Sequence, residues 1–269
     1  MSIGLLPVSH DAVRNPKETH TMNRVTRDLY LDLLSKSLSN LIYGAPPVDP
    51  WNDGLFRNDA RPGRDRRSPA HTMVGVLRLE NVRQLAQRAI DLEIPGDFIE
   101  TGVWRGGCCI LMRGVLAANM VHDRKVYVAD SFAGLPPPKS QLFPQDAEDR
   151  HYMIPELAVS LDQVKENFDR YGLLDDQVVF IKGFFGDTLP SLDAEPFALI
   201  RLDGDMYEST YVALECLYPK LSIGGFAIID DYGAIEQCRS AVTDYRAKIG
   251  IDDYIQQVDW TGVWWQKTR

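Results

Sequence analysis

The chain has 269 residues, 45% of them hydrophobic and 25% charged, which is ordinary globular composition and enough chain for one large domain. Its formal charge of −9 argues against a nucleic-acid partner, because affinity for a phosphate backbone comes from Lys and Arg. The apolar runs are too short to cross a membrane, residues 1–16 lack a secretory pattern, and the four cysteines form no C-x-x-C pair, so we expect a cytoplasmic protein with a small-molecule substrate.

The N-terminal third is predicted to lie outside the main sheet. Apolar residues recur at helical spacing within 28–43 and again within 76–89. The intervening segment 44–70 holds five prolines and three glycines, and its length is typical of a functional loop or a disordered segment. The predicted organisation is a mobile polar arm (1–25), N-terminal helices with a lid loop (26–94) and a core (95–269), the last two forming one domain.

From residue 95 the pattern changes to alternating strands and helices. Short apolar segments predict five strands, at 97–100, 126–130, 178–182, 197–202 and 226–229. Helical spacing between and after them predicts helices at 107–120, 157–171, 210–221 and 235–250. Two final segments around Thr261-Gly262, at 254–260 and 263–267, predict a hairpin. This order predicts a doubly wound, mostly parallel α/β sheet with a C-terminal antiparallel hairpin.

A glycine-rich turn follows the first predicted strand, with the sequence E-T-G-V-W-R-G-G from Glu100 to Gly107. Its spacing is not the G-x-G-x-x-G of dinucleotide sites, and Glu100 would repel a pyrophosphate. A carboxylate suits the positive sulfonium and amino groups of S-adenosylmethionine. The second strand ends at Asp130, which can accept hydrogen bonds from both ribose hydroxyls. Alone, each feature is common in structural turns and helix caps, but together they predict an adenosine-type ligand.

Four aspartates follow the fourth and fifth predicted strands: Asp203 and Asp205 after one, Asp230 and Asp231 after the other. Neighbouring strands lie roughly 5 Å apart, so the four carboxylates would crowd one crevice and repel each other unless a cation compensates. Oxygen-only ligands favour Mg²⁺. The structural alternative is that Asp231 caps the following helix and that Asp203 belongs to a turn.

Four motifs resemble the macrocin O-methyltransferase family, which includes sugar O-methyltransferases of the mycinamicin III and novobiocin pathways. They are E-T-G-V-W-R-G-G (100–107), V-A-D-S-F-x-G-L-P (128–136), R-L-D-G-D-x-Y (201–207) and G-G-F-A-I-I-D-D-Y (224–232). The resemblance runs from about Tyr30 to Trp265. It implies a class I methyltransferase fold, S-adenosylmethionine and Mg²⁺ as cofactors, and methylation of a hydroxyl on a deoxysugar attached to a natural product.

The resemblance also implies roles for single residues. Asp203, Asp230 and Asp231 would bind the metal, and Asp205 would be the general base. The residues expected at the cofactor are Thr72, Met73, Glu100, Thr101, Gly102, Asp130, Ser131 and Phe184. Of these, Thr72 and Met73 would close over the methionine moiety, and Phe184 replaces a tryptophan of the family, which leaves an aromatic ring for adenine.

Three other functions remain as alternatives. A nicotinamide-dependent oxidoreductase shares the fold, but its glycine motif and a catalytic Tyr-Lys pair or His cannot be placed. A non-catalytic nucleotide-binding subunit would have little use for the four aspartates. A catechol-type O-methyltransferase acting on a phenolic acceptor is the nearest rival among enzymes. The expected partners are a glycosylated natural product and a second copy of the chain in a homodimer or higher homo-oligomer, with no nucleic acid and no membrane.

Overall fold

The alternating pattern forms strands and helices close to those expected. The structure is a computed structural model that describes residues 16–43, 70–194 and 196–269. Its helices are α1 (Pro16–Leu38), α2 (Val76–Asp91), α3 (Gly107–Ala118), α4 (Leu161–Arg170), α5 (Phe185–Thr188), α6 (Tyr207–Leu217) and α7 (Glu236–Ile249). Its strands are β1 (Asp97–Thr101), β2 (Val126–Asp130), β3 (Val178–Lys182), β4 (Phe197–Leu202), β5 (Leu221–Ile229), β6 (Gln256–Gln257) and β7 (Val263–Gln266).

The strands form one seven-stranded sheet in the order β3-β2-β1-β4-β5-β7-β6. Strands β1 to β5 are parallel, whereas β7 runs antiparallel to β5 and pairs with β6. In the register, Thr101 pairs with Leu202 and Leu202 with Ile229, so the carboxyl ends of β1, β4 and β5 lie side by side. The predicted doubly wound, mostly parallel sheet with a terminal hairpin is confirmed.

Alternate residues of each strand pack into two apolar layers, one on each face of the sheet. Phe98 lies in the layer that contains α2, α3 and Phe168 of α4, whereas its neighbour Ile99 lies in the layer with α6 and α7. Three leucines of α1 join the first layer: Leu31, Leu34 and Leu38. None of the helices in the described ranges is long and apolar enough to cross a membrane.

The N-terminal boundaries differ from those expected. Helix α1 begins at Pro16, within the segment 1–25 that the sequence predicts as an arm, and it ends at Leu38 rather than continuing to Tyr43. A separate helical turn covers Leu41–Tyr43, after Asn40 adopts a positive φ of 59° that interrupts the helix. Residues 1–15 and most of the predicted lid loop (44–69) lie outside the described residues.

Boundaries within the core also differ, and α6 covers Tyr207–Leu217 where the sequence predicts 210–221. Helix α4 begins at Leu161 rather than Leu157, because the Ser160 hydroxyl accepts a hydrogen bond from Gln163 N at 3.2 Å and caps it. Strand β5 begins at Leu221, five residues earlier than predicted, because its first half continues past two glycines. Strand β6 has only two residues where the sequence predicts 254–260, and the short helix α5 was not predicted.

Candidate active site

The glycine turn after β1 lies directly against the end of β4. Asp203 N donates to Thr101 O at 2.9 Å, which continues the strand pairing beyond the sheet. Gly102 has a φ of +81°, and a Cβ there would lie 1.8 Å from the carbonyl oxygen of Asp203. Only glycine fits so close an approach. The predicted cofactor turn and the first predicted metal ligand are therefore adjacent.

Asp130 holds the same turn from the other side. Its carboxylate accepts hydrogen bonds from Val103 N at 2.8 Å and from Phe132 N at 2.7 Å. Burial raises the pKa of Asp130, although these backbone donors oppose the shift. Each carboxylate oxygen has a second lone pair, so Asp130 can brace the turn and still accept hydrogen bonds from a ligand. Trp104 and Phe132 both have positive φ, at 49° and 55°, and such backbone strain is common at functional sites.

These strand ends open into a cavity of about 560 Å³, a volume suited to a small-molecule ligand. Its wall continues through the segment 134–139, which contains three consecutive prolines, and through 184–187 after β3. Half of the predicted cofactor residues line it: Gly102, Asp130, Ser131 and Phe184. Asp203 and Asp205 line it as well, so a ligand at the glycine turn would lie beside the aspartates.

Thr72, Met73 and Thr101 are not part of the wall of this cavity in the described residues. A Cβ on Gly107 would lie 2.5 Å from His71 O and 2.7 Å from the Thr72 Cβ, so the segment 71–73 crosses the start of α3. The Thr72 hydroxyl accepts a hydrogen bond from Val74 N at 3.2 Å and stays buried. The predicted covering segment is thus beside the glycine turn.

Glu100 is not brought into the cavity. Its side chain is buried, forms an ion pair with Arg201, and accepts a hydrogen bond from the Cys109 thiol at 2.7 Å. Burial raises the pKa of Glu100 to about 7, although the charge of Arg201 acts against this. Contact with the methionine part of the donor is therefore not supported by its position. A single arginine in an otherwise apolar strand was the sequence signal for this buried pair.

The aspartates assemble in a different grouping from the one expected. Oxygens of Asp203, Asp205 and Asp231 lie within 4.8 Å of one another. Burial and the charge of Asp230 raise the pKa of Asp203 well above its usual range, and its hydrogen bond with Asp231 adds to the shift. Crowded carboxylate oxygens of this kind fit a hard divalent cation such as Mg²⁺.

Asp230 is turned away from this group of three. One of its carboxylate oxygens contacts Arg201 and the other contacts Arg78, a buried residue of α2. The sequence analysis named neither arginine as part of the site, and the contact of Arg78 with Asp230 joins residues that are 152 positions apart in the chain. Arg78 also forms an ion pair with Asp259, in the turn before β7. The predicted set of Asp203, Asp230 and Asp231 is therefore assembled only in part.

Among the histidines whose side chains the structure describes, His71 beside the glycine turn and His151 near the aspartates both have protein partners. His71 Nδ1 lies 2.8 Å from the Tyr171 hydroxyl, and burial lowers the pKa of His71 to about 4. His151 Nδ1 lies 2.6 Å from a carboxylate oxygen of Asp149, and this hydrogen bond raises the pKa of His151 against the effect of burial. The charges of Asp205 and Asp231 raise it further. His151 is therefore the histidine that is electrostatically coupled to the aspartates.

A further aspartate anchors the loop that carries His151. The two carboxylate oxygens of Asp146 accept hydrogen bonds from Tyr207 N at 2.7 Å and Glu208 N at 2.9 Å. These bonds cap α6 directly after Asp205, which itself has a φ of 57°. Lys139 of the same loop forms an ion pair with Glu208 at 2.6 Å. Asp146 has no recognisable signal in the sequence, because it lies far along the chain from the helix it caps.

Comparison with known proteins agrees with this fold and identifies a family. Residues 48–267 match the family described as macrocin-O-methyltransferase (TylF). The chain is 52% identical to the 8-demethyl-8-(2,3-dimethoxy-α-L-rhamnosyl)-tetracenomycin-C 4'-O-methyltransferase of Streptomyces olivaceus, covering 92% of this chain and 95% of that one. It is 46% identical to the demethyldecarbamoylnovobiocin O-methyltransferase of Streptomyces niveus, covering 96% and 98%. The solved structure of the O-methyltransferase NovP superposes with a TM-score of 0.82 at 46% identity, covering 90% of this chain and all of that one.

The sheet order and the cavity at the ends of its strands define a class I methyltransferase, for which S-adenosylmethionine is the expected methyl donor. The chain belongs to the macrocin-O-methyltransferase family and is an O-methyltransferase. The family resemblance seen in the sequence motifs is thereby confirmed.

Proposed function

We propose that the protein transfers a methyl group from S-adenosylmethionine to a sugar hydroxyl of a glycosylated natural product, with the help of Mg²⁺. The observation that carries the proposal is the position of Asp203 and Asp205 in the same cavity as Gly102 and Asp130. The names of the relatives support the acceptor class, since one of them acts on a rhamnosyl-tetracenomycin.

The donor would occupy the side of the cavity formed by the glycine turn. Asp130 would accept hydrogen bonds from the ribose hydroxyls, and Ser131 and Phe184 would lie towards the adenine. Thr72 and Met73 would cover the methionine moiety from the segment across α3. Glu100 would act from beneath the turn, holding it through Arg201 rather than by contact with the donor.

The metal would bind between β4 and β5, with Asp203 and Asp231 as two ligands. The family resemblance implies Asp230 as the third, whereas the side chains favour Asp205. Asp230 could ligate only if one of its oxygens left an arginine or was shared with one. A bound Mg²⁺ would polarise the acceptor hydroxyl and lower its pKa.

Asp205 would take the proton from the acceptor hydroxyl. In the proposed transfer, the acceptor oxygen would take the methyl group from the sulfonium, S-adenosylhomocysteine would leave, and the Asp205 carboxylate would receive the hydroxyl proton. A second candidate for this proton is His151, because it is paired with Asp149 and influenced by the charge of Asp205. His71 is the weaker candidate, because its Nδ1 is engaged with the Tyr171 hydroxyl.

Two further expectations stay part of the proposal. A homodimer is supported by apolar side chains that α1 exposes, Leu29 at 65% and Leu33 at 52%. A cytoplasmic setting is supported by the four cysteines, all of which are free thiols.

A methyl-transfer assay with matched acceptors tests the proposed function. We expect the purified protein to methylate a glycosylated polyketide or aminocoumarin but neither its aglycone nor a catechol, and to lose this activity with EDTA and regain it with Mg²⁺. Methylation of the catechol or of the aglycone alone would establish the phenolic alternative. Full activity after exhaustive chelation would remove the metal from the proposal.

A further inference from the structure

A buried ionic network connects α2 to the candidate metal site. The Arg78 guanidinium donates through Nη1 to Asp230 and through Nε to Asp259 Oδ2 at 3.0 Å. The three side chains are almost completely buried. Removing one partner from such a group leaves an uncompensated buried charge, so the network is costly to disturb.

Asp259 is held in place to receive Arg78. Its Oδ1 accepts hydrogen bonds from Thr261 N at 2.9 Å and Gly262 N at 2.7 Å, which leaves Oδ2 for the guanidinium. A Cβ on Gly262 would lie 2.6 Å from the Arg78 Cδ, so the turn before β7 fits closely around this side chain. The Arg78 side chain is therefore fixed by its two carboxylate partners and by the close packing of the turn.

The same turn forms hydrogen bonds with the backbone that follows β5. The Thr261 hydroxyl donates to Asp230 O at 3.0 Å and accepts from Ala234 N at 3.1 Å. Gly233 N donates to Thr261 O at 2.8 Å, and a Cβ on Gly233 would lie 2.2 Å from Trp260 O. The backbone of the segment 230–234, which includes Asp231, is therefore held by hydrogen bonds from the turn. The side chain of Asp230 in this segment is held by Arg78.

We propose that Arg78 is a positioning residue, which together with Asp259 fixes the segment 230–234 so that the Asp231 carboxylate stays beside Asp203 and Asp205. This inference rests on the proposed metal site. The planar guanidinium reaches two carboxylates at once in a fixed geometry, which a lysine ammonium cannot reproduce. The C-terminal hairpin turn thereby becomes a structural part of the active site, although none of its residues lines the cavity within the described chain.

The test measures Mn²⁺ affinity by electron paramagnetic resonance in the full-length wild type, Arg78→Lys and Asp259→Asn. We expect both variants to bind Mn²⁺ about 10- to 100-fold more weakly, as is usual when a group behind a metal ligand is changed. The affinity for S-adenosylhomocysteine should stay unchanged, because Asp130 and the glycine turn remain intact. Exchange of the amide hydrogens of Gly233 and Ala234 should accelerate in both variants even without metal.

Arg113→Lys is the matched control, because Arg113 is another buried arginine, and it pairs with Asp175, which is not part of the cavity wall in the described residues. It should alter neither Mn²⁺ affinity nor exchange at residues 233–234. If Arg78→Lys fails to fold, Asp259→Asn alone tests the positioning role, since it removes one ion pair and keeps the arginine. Wild-type Mn²⁺ affinity in both variants, with unchanged amide exchange, overturns the positioning role alone. A wild type that binds no Mn²⁺ overturns the proposed metal site and the inference with it.

Discussion

Glu100 and Arg201 are direct partners in the register of β1 and β4, and the carboxylate of the one is ion-paired with the guanidinium of the other. Arg201 also contacts Asp203 and Asp230. The pair therefore links the strand beneath the glycine turn to the aspartates that follow β4 and β5. It makes Glu100 a component of the core of the site rather than of its wall.

Glu100→Gln should destabilise the fold more than it weakens cofactor binding. Loss of the carboxylate leaves Arg201 short of one partner, at a cost of about 3 kcal/mol in the free energy of unfolding. Thermal unfolding and calorimetry with S-adenosylhomocysteine measure the two effects separately. An unchanged melting temperature combined with lost cofactor affinity would place Glu100 in direct contact with the donor, as the motif alone suggests.

Asp130→Ala should weaken S-adenosylhomocysteine binding by about 1–3 kcal/mol, or roughly 5- to 150-fold in Kd. The reason is the loss of hydrogen bonds to the ribose together with the loss of the bonds that Val103 N and Phe132 N make to the carboxylate. Calorimetric titration measures the change, with the exposed Asp123→Ala as control. Unaltered affinity in Asp130→Ala would exclude this carboxylate from the cofactor site.

Asp205→Asn should lower kcat by about 10²- to 10⁴-fold if Asp205 accepts the proton, because that is the usual contribution of a general base. The change is nearly isosteric, so S-adenosylhomocysteine affinity should persist. Mn²⁺ affinity separates two roles: it is retained if Asp205 acts only as the base and falls if Asp205 is the third metal ligand. Near-normal kcat in Asp205→Asn, with activity abolished in His151→Asn, would transfer the role of base to the histidine.

His71 should make the stability of the fold depend on pH. Its pKa is lowered from 6.5 to about 4 by burial, with the charges of Arg170 and Arg105 adding to the effect. The unfolded chain therefore binds a proton more readily, so stability is full above about pH 6.5 and decreases as the pH falls towards 4. Urea unfolding from pH 7 to pH 4.5 should show a smaller decrease for His71→Phe than for the wild type. The control His122→Ala changes an exposed histidine and should retain the full decrease. An equal dependence of the free energy of unfolding on pH in all three proteins would contradict the role of His71.

Much of the fold could be predicted because its signals are local. Short apolar segments predict β1 to β4 to within a residue or two, and they place Gly102 and Asp130 at strand ends, where the structure has them. The sequence predicts that α4 begins at Leu157, because Leu157 continues the helical spacing of apolar residues. In the structure the helix begins at Leu161, because Ser160 caps it. The early start of β5 was missed for a different reason: Gly224 and Gly225 interrupt the apolar pattern, although the backbone remains extended through them.

The site was harder to predict because its electrostatics depend on residues that are distant in the chain. The motif places Asp230 beside Asp231, but only the packing of α2 against the hairpin turn shows that Arg78 contacts it. The position of Asp205 also depends on a positive φ, which a sequence pattern does not specify. Consequently the sequence identified the four carboxylates, whereas the structure was needed to show which three converge.

Anomalous diffraction tests most directly whether a catalytic metal binds between β4 and β5 beside the methyl donor. Crystals grown with Mn²⁺ and S-adenosylhomocysteine should show one strong anomalous peak within coordination distance of Asp203 and Asp231, at the end of the cavity next to the sulfur of the bound product. The same map would identify the third ligand as Asp205 or Asp230. No anomalous peak at full product occupancy, or a peak away from Asp203 and Asp231, would contradict the account.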